Sequence, residues 1–256
     1  MKRRNLTTLA VILLLVMGAG LLVYPAVSNW INTRNGSYAI SQMHAQLLSS
    51  DEKQLLRQLQ AAQAYNAGQA AQDYDKILDF GGGIMGSIRI PTLDLELPIY
   101  HGVSQTVLSK GVGHLPQSDF PVGGAGCHSV LTGHTGLVSA RLFTDLEKLQ
   151  LGDVFFIHIL EKTLQYTVDQ ILVVLPSQEE ALAAVPGEDY CTLVTCTPYG
   201  INSHRLLVRG KRTEAVPQQE KTPQPQAKGW DLRWLWIVVA VIPAMPLLIW
   251  RFKRGI

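Results

Sequence analysis

An uncharged apolar segment at each end of the chain limits what this protein can fold into. Residues 5–33 carry no charge, and residues 6–24 are mostly leucine, valine, isoleucine, alanine and glycine. A helix of that length spans roughly 29 Å at about 1.5 Å per residue, close to the hydrocarbon thickness of a bilayer. Lys2, Arg3 and Arg4 precede the segment and favour a cytoplasmic amino terminus. We predict a membrane anchor over residues 1–28.

A cleaved signal peptide is the alternative interpretation of this segment. Ala26, Val27 and Ser28 form a weak cleavage site. The apolar cores of signal peptides run only about 7–15 residues, which favours the uncleaved anchor.

The second apolar segment lies between Arg233 and Arg251. All 17 intervening residues are uncharged, and tryptophans stand near both ends, where aromatic belts form in membrane helices. The basic tail Arg251, Lys253 and Arg254 again favours the cytoplasm. We predict a second membrane helix within residues 230–256, so that both termini are cytoplasmic and the intervening chain is exported. A buried or interfacial hairpin is the alternative.

Charge and cysteine content exclude several classes of protein. The chain has 22 basic and 20 acidic residues; without the six basic residues of the two tails, 16 basic and 20 acidic residues remain, a net charge of −4. An acidic body argues against nucleic-acid binding. Three cysteines are too few for a disulfide framework, and no C-x-x-C pair exists for a zinc ribbon. Cys127 and His128 lack a second ligand pair, so the sequence indicates neither a metal nor another cofactor.

The exported part divides into a helical region and a β region. Apolar residues at helical spacing over residues 37–64 predict one or two amphipathic helices, within a helical stalk or lid-like region over residues 29–79. Short apolar runs from residue 84 onward predict strands near 84–90, 95–100, 129–133, 153–160, 163–175, 190–197 and 205–211. This pattern is typical of a barrel or sandwich, here over residues 80–212. Residues 213–229 are rich in Pro, Gln and Lys and are interpreted as a linker.

Cys196 is the candidate nucleophile. It stands at the end of a β-rich run, one residue before a Pro-Tyr-Gly turn, where a strand holds a side chain at the edge of solvent. Cys191 lies five residues earlier and would face the other side of the sheet, as a buried structural thiol.

Arg205 and His134 are the candidate partners of that thiol. Arg205 follows Cys196 by nine residues across a turn, so a hairpin would bring the two together, and a guanidinium favours the thiolate and can stabilise an oxyanion. His134 stands at another strand end, in Leu-Thr-Gly-His-Thr-Gly at residues 131–136, and an imidazole is the usual proton acceptor for a thiol.

These motifs together resemble the sortase family, specifically its pilus-assembling class C group. The resemblance rests on Leu-Thr-Gly-His at residues 131–134, on Thr-Leu-Val-Thr-Cys at 192–196, and on the Cys-Thr-Pro-Tyr-Gly run continuing to Arg205. Further stretches agree in order over residues 80–212. The resemblance implies a mainly β protein with a closed sortase-type barrel, a His134–Cys196–Arg205 site, and a location on a Gram-positive cell surface.

The resemblance also implies an activity and partners. Cys196 would attack an LPXTG-like sorting signal, His134 would act as general acid and base, and Arg205 would stabilise the oxyanion. A lysine amine of a neighbouring pilin would then take the acyl group. Attachment of surface proteins to a peptidoglycan amine, simple proteolysis, and a non-catalytic scaffold are the alternatives.

The sequence leaves alternatives for two features, the lid and the pairing of two cysteines. Class C sortases often carry a lid with an Asp-Pro-aromatic motif, but none of Asp73, Asp75 and Asp79 precedes a proline, which predicts a lid that is absent, shortened or built differently. Cys127 and Cys191 could form a disulfide in an exported protein, although we expect free thiols.

Overall fold

The computed structural model describes residues 2–69, 73–178 and 180–214. Three helices lie in this part of the chain: α1 (Lys2–Ser49), α2 (Glu52–Asn66) and the single turn α3 (Gln105–Leu108). Eight strands follow the two long helices: β1 (Ile84–Ile90), β2 (Leu95–His101), β3 (Val112–His114), β4 (Cys127–Thr132), β5 (Val154–Ile159), β6 (Lys162–Val174), β7 (Asp189–Thr197) and β8 (His204–Thr213). Short 3₁₀ turns occur at Tyr74–Lys76, Pro91–Leu93, Leu146–Lys148 and Glu180–Leu182.

The strands form one closed barrel in the order β1-β2-β3-β4-β7-β8-β6-β5. The pairs β2–β3 and β4–β7 are parallel, and the other pairs are antiparallel. Closure leaves no unpaired strand edge. The predicted closed barrel is therefore confirmed, and seven of its strands match predicted ones; β3 was not predicted.

The two ends of the barrel differ in which strands start and stop there. We call the end at which β7 stops and β8 starts the Cys196 end. Because β4 is parallel to β7, and β6 is antiparallel to β8, β4 and β6 also stop at this end. β2 stops at the opposite end, since it is parallel to β3, which is antiparallel to β4.

The barrel interior holds the main core, and the predicted amphipathic helices cover one side of it. Ile40, Met43 and Leu47 of α1 are buried against the barrel, as are Leu55 and Ala62 of α2. The same helix α1 begins at Lys2, so no break in the helix marks the boundary expected near residue 28.

One apolar helix long enough to cross a membrane occurs among the described residues. It covers residues 10–49 of α1, and its most apolar window has a mean hydropathy of 2.4 with none of it buried. This agrees with the predicted amino-terminal anchor. The predicted second membrane helix, within residues 230–256, lies outside the described residues.

The chain between α2 and β1, whose described residues 73–80 we call the lid-like segment, packs at the opposite end of the barrel from Cys196. Tyr74 accepts a hydrogen bond from the N–H of Gly102, at the end of β2, and its ring stacks on Phe120. Asp73 pairs with Lys76, and Asp79 accepts hydrogen bonds from the N–H groups of two following glycines. Asp73 and Asp79 therefore stabilise local turns.

His114 is a fully buried histidine in this packing. Its Nε2 lies 2.8 Å from the main-chain oxygen of Asp119, which can only accept, so Nε2 carries the proton. Nδ1 lies 2.9 Å from the hydroxyl of Tyr74 and accepts from it. Burial, with a smaller effect from His101, lowers the pKa of His114 to about 4.

We expect this histidine to make the fold sensitive to acid. The unfolded chain binds a proton near pH 6.5 but the folded protein does so only near pH 4, so stability is full above pH 6.5 and falls as the pH drops through this window. The shift corresponds to about 3 kcal/mol in the free energy of unfolding. Urea unfolding between pH 7 and pH 4.5 should show a smaller loss for His114→Gln than for the wild type. An unchanged pH dependence in the variant would contradict the assignment.

Candidate active site

Cys196 and Arg205 stand directly opposite each other on neighbouring strands. β7 and β8 form the predicted hairpin, and its register pairs Cys196 with Arg205 and Thr197 with His204. Side chains opposite each other in such a pair have Cβ atoms roughly 4.5–5.5 Å apart. The hairpin thus places a thiol beside a guanidinium at the Cys196 end of the barrel.

The three cysteines have different environments. Cys191 and Leu193 belong to the buried main core, whereas Val194 packs in a separate cluster on the outer face. Cys196 is on the face of Val194, opposite to Cys191, and it is half-buried. Cys127 and Cys191 are buried free thiols, as expected for Cys191, and burial raises the pKa of both, that of Cys127 to about 12.

Two hydrogen bonds attach Gly133, the residue before His134, to β7. The N–H of Gly133 donates to the oxygen of Val194 at 3.0 Å, and the hydroxyl of Thr195 donates to the oxygen of Gly133 at 2.7 Å. A Cβ atom at Gly133 would lie 2.7 Å from the ring of Phe143, so this position requires glycine. The backbone that carries His134 is therefore tied to the two residues that precede Cys196.

The imidazole of His134 is oriented by Gln105. Its Nε2 lies 3.0 Å from the amide oxygen of Gln105, in α3. An amide oxygen accepts, so Nε2 carries the proton of the neutral ring and Nδ1 keeps the lone pair. Partial burial lowers the pKa of His134, which favours the neutral ring at pH 7. Gln105 was not predicted, because it lies 29 residues from His134 along the chain, in a single turn of helix.

The other histidines are placed elsewhere or engaged in structural contacts. His101 and His114 are buried at the opposite end of the barrel, and His128 is buried on the outer face. His204 contacts Ser203, and His158 contacts Thr163. His44 lies on α1.

The guanidinium of Arg205 has main-chain partners. Its Nη1 donates to the oxygens of Asn202 and His204, at 3.3 and 3.2 Å. No carboxylate forms an ion pair with Arg205 among the described residues, whereas Arg209 of the same strand makes two hydrogen bonds to Asp169. Arg205 therefore offers donors and a charge that no carboxylate among the described residues neutralises, whereas the charge of Arg209 is paired with Asp169.

An apolar cluster lies on the outer face beside the site. It contains Val130, Val194 and Leu207, with Leu172, Val174, Ala181 and Leu182 among the partly buried side chains around it. His128 connects the β6–β7 loop to this face, since its Nδ1 lies 2.9 Å from the oxygen of Ala183 and its Nε2 lies 2.7 Å from the hydroxyl of Thr192. The site thus has an apolar floor next to polar groups.

The arrangement suits covalent acyl transfer. A half-exposed thiol, an imidazole with a free lone pair and a cation without a carboxylate partner are the groups needed for attack on a carbonyl. Within the described part of the chain, no group of three or more His, Cys, Asp or Glu side chains could hold a metal ion.

Comparison with known proteins agrees with this chemistry. The sortase domain family matches residues 88–213. Sortase C1 from Streptococcus agalactiae is 42% identical, with a TM-score of 0.67 over 70% of this chain and 100% of that one. A sortase C structure from Streptococcus pneumoniae, described as informative on pilin substrate specificity, is 40% identical, with a TM-score of 0.65 over 71% and 100%. Sortase A from Streptococcus agalactiae serotype III is 27% identical over 74% of this chain and 77% of its own length.

Fold and sequence together define a cysteine transpeptidase of the cell surface. The chain belongs to the sortase family, and its structural relatives identify it as a class C sortase. Sortases act on surface proteins with LPXTG-type signals, such as pilins. The amino-terminal apolar helix indicates membrane anchoring with an extracellular sortase domain.

Proposed function

We propose that this sortase cleaves an LPXTG-like sorting signal at Cys196 and joins the acyl group to a pilin lysine. The observation that carries the proposal is the register of β7 and β8, which pairs Cys196 with Arg205. The ties between Gly133 and β7 support a role for His134 at the same site.

The first half-reaction forms a thioester. Nδ1 of His134 takes the proton of Cys196, and the thiolate attacks the carbonyl carbon of the Thr–Gly bond. Free N–H groups of Arg205 stabilise the resulting oxyanion. The imidazolium then protonates the leaving glycine amine, so the C–N bond breaks and the thioester remains.

The second half-reaction transfers the acyl group. A lysine ε-amine attacks the thioester, His134 takes its proton, and the thiolate leaves as an isopeptide bond forms. A thioester retains enough free energy to acylate an amine. The apolar floor beside Cys196 suits the leucine and proline of the signal, which would gain by burial there.

The membrane arrangement supports this reaction. We assign residues 1–28 to an anchor, 29–79 to the helical region, 80–212 to the catalytic domain, 213–229 to a linker and 230–256 to a second span with a cytoplasmic tail. Tethering enzyme and substrates to one bilayer raises their effective concentration. The described residues of the lid-like segment lie at the opposite end of the barrel, so we propose that they leave the site uncovered.

The choice of acceptor is tested by competition. The full-length protein in detergent is incubated with a sorting-signal peptide, a lysine-bearing pilin domain and a peptidoglycan-precursor amine, and the products are separated by mass. We expect the peptide on the pilin lysine. A product mainly on the cell-wall amine would indicate the anchoring alternative, free peptide acid would indicate a protease, and no product would indicate a scaffold. A pilin domain whose lysines are methylated is the matched control.

A further inference from the structure

Exposed apolar side chains of the barrel concentrate around the Cys196 end. From residue 84 onward, seven bulky apolar side chains are strongly exposed among the described residues. Five of them lie in the first part of the loop after β4, at the end of β6 or in the β7–β8 turn, and we call these five the apolar rim: Val138, Val173, Leu175, Tyr199 and Ile201. The other two, Leu151 shortly before β5 and Val185 shortly before β7, are not part of it. Tyr199 and Ile201 are 63% and 72% exposed. Such a patch marks a surface that is covered by something else.

Helix α1 leaves the barrel at this same end. The side-chain oxygen of Asn29 accepts from the N–H of Arg141 at 2.8 Å, and the side-chain amide of Asn32 donates to the oxygen of Ser109 at 3.0 Å. Arg141 lies in the loop that also carries Val138, and in that loop Gly136 packs under the ring of Tyr199. From there, α1 runs along the barrel toward the opposite end, where Gln46 contacts Gly81.

The height of these contacts above the bilayer follows from the helix rise. The predicted span ends at Tyr24, and Asn29 is only about 8 Å further along the helix. Trp30 lies next to Asn29, and the guanidinium of Arg34 lies 5.5 Å from its ring. An aromatic residue followed by the first charge is typical of the interface between lipid and water. The loops beside Cys196 therefore lie at the level of the lipid headgroups.

We propose that the Cys196 end of the barrel rests on the outer surface of the membrane, with the apolar rim in contact with lipid. The occupant is the bilayer because the rim lies at the end of the barrel where the apolar helix enters the lipid. The inference rests on α1 spanning the membrane and not on the acyl-transfer chemistry. Its consequence is that the enzyme meets a sorting signal within a few residues of the point where the substrate leaves the bilayer.

Site-specific photocrosslinking tests this orientation. Benzoylphenylalanine is placed at position 201 of the full-length protein, in vesicles of phosphatidylcholine and phosphatidylglycerol, and lipid adducts are measured by mass spectrometry after irradiation. Position 48 is the matched control, because Leu48 is 88% exposed but lies about 24 Å further along α1 than Asn32. Position 16, an exposed residue of the predicted span, is the positive control.

The adduct yields at positions 201, 48 and 16 distinguish contact with lipid from contact with protein. We expect position 201 to give lipid adducts at a yield at least about fivefold above position 48, as interfacial burial of this side chain requires. Adducts at position 16 with equal, low yields at 201 and 48 would overturn the orientation while leaving the anchor intact. Failure at position 16 would remove the anchor on which the inference depends. Crosslinks from position 201 to a second copy of the protein, or to an added pilin domain, would show that protein and not lipid covers the rim.

Discussion

Replacing Cys196 with alanine is expected to abolish turnover of a sorting-signal peptide. The variant keeps the barrel but lacks the sulfur that forms the thioester, and the loss should be at least about a thousandfold in kcat. No other described cysteine can substitute, because Cys127 and Cys191 are buried and burial raises the pKa of each thiol. A continuous fluorescence assay with a quenched peptide measures the effect.

The matched control for this variant is Cys127→Ser. Cys127 accepts a hydrogen bond from Asn66 at the opposite end of the barrel, and a serine hydroxyl can keep it. This variant should retain turnover. The free energy of unfolding of Cys196→Ala should lie within about 1 kcal/mol of the wild-type value, because the side chain of Cys196 is outside the main core. Substantial turnover by folded Cys196→Ala would refute the nucleophile assignment.

Replacing Arg205 with lysine is expected to lower kcat/KM by about a hundredfold to a thousandfold. The ammonium keeps the charge but has three donors on one atom in place of five in a planar fork. Holding the two main-chain oxygens of the turn would leave it a single donor for the oxyanion, without the fork that directs it. The same peptide assay, run at saturating and at low peptide concentration, separates kcat from KM.

Arg209→Lys provides the comparison within the same strand. Arg209 lies four residues beyond Arg205 and is paired with Asp169, so its replacement should change stability more than turnover. Normal kcat/KM in Arg205→Lys would show that charge alone matters at this position. Equal losses in both variants would indicate a general effect on the strand.

The strands were predictable wherever an apolar run was long enough to show its pattern. β6 and β7, with 13 and 9 residues, are evident in the sequence, whereas β3 has only three residues, two of them Gly113 and His114. The position of β3 is determined by its pairing with β2 and β4, and the local sequence does not encode this pairing. The continuity of α1 was missed for a similar reason: a change from apolar to amphipathic composition does not interrupt a helix.

The candidate site was predictable in part. The nine-residue interval between Cys196 and Arg205, with a turn between them, indicated their pairing. The roles of Gln105 and Thr195 could not be predicted. Gln105 reaches His134 only because of where α3 lies, and Thr195 reaches Gly133 only because the β4–β5 loop contacts β7. The absence of an Asp-Pro motif indicated an unusual lid, but only the contacts of Tyr74 show where its described residues pack.

Mass spectrometry of the intact protein shows whether Cys196 carries the acyl group between the two half-reactions. The full-length enzyme is mixed with a sorting-signal peptide without an amine acceptor, quenched in acid and mapped by proteolysis. We expect a thioester adduct on Cys196 equal in mass to the peptide up to its threonine, removed by an added amine and absent from Cys196→Ala. An adduct on another residue, or peptide cleavage by Cys196→Ala, would contradict it.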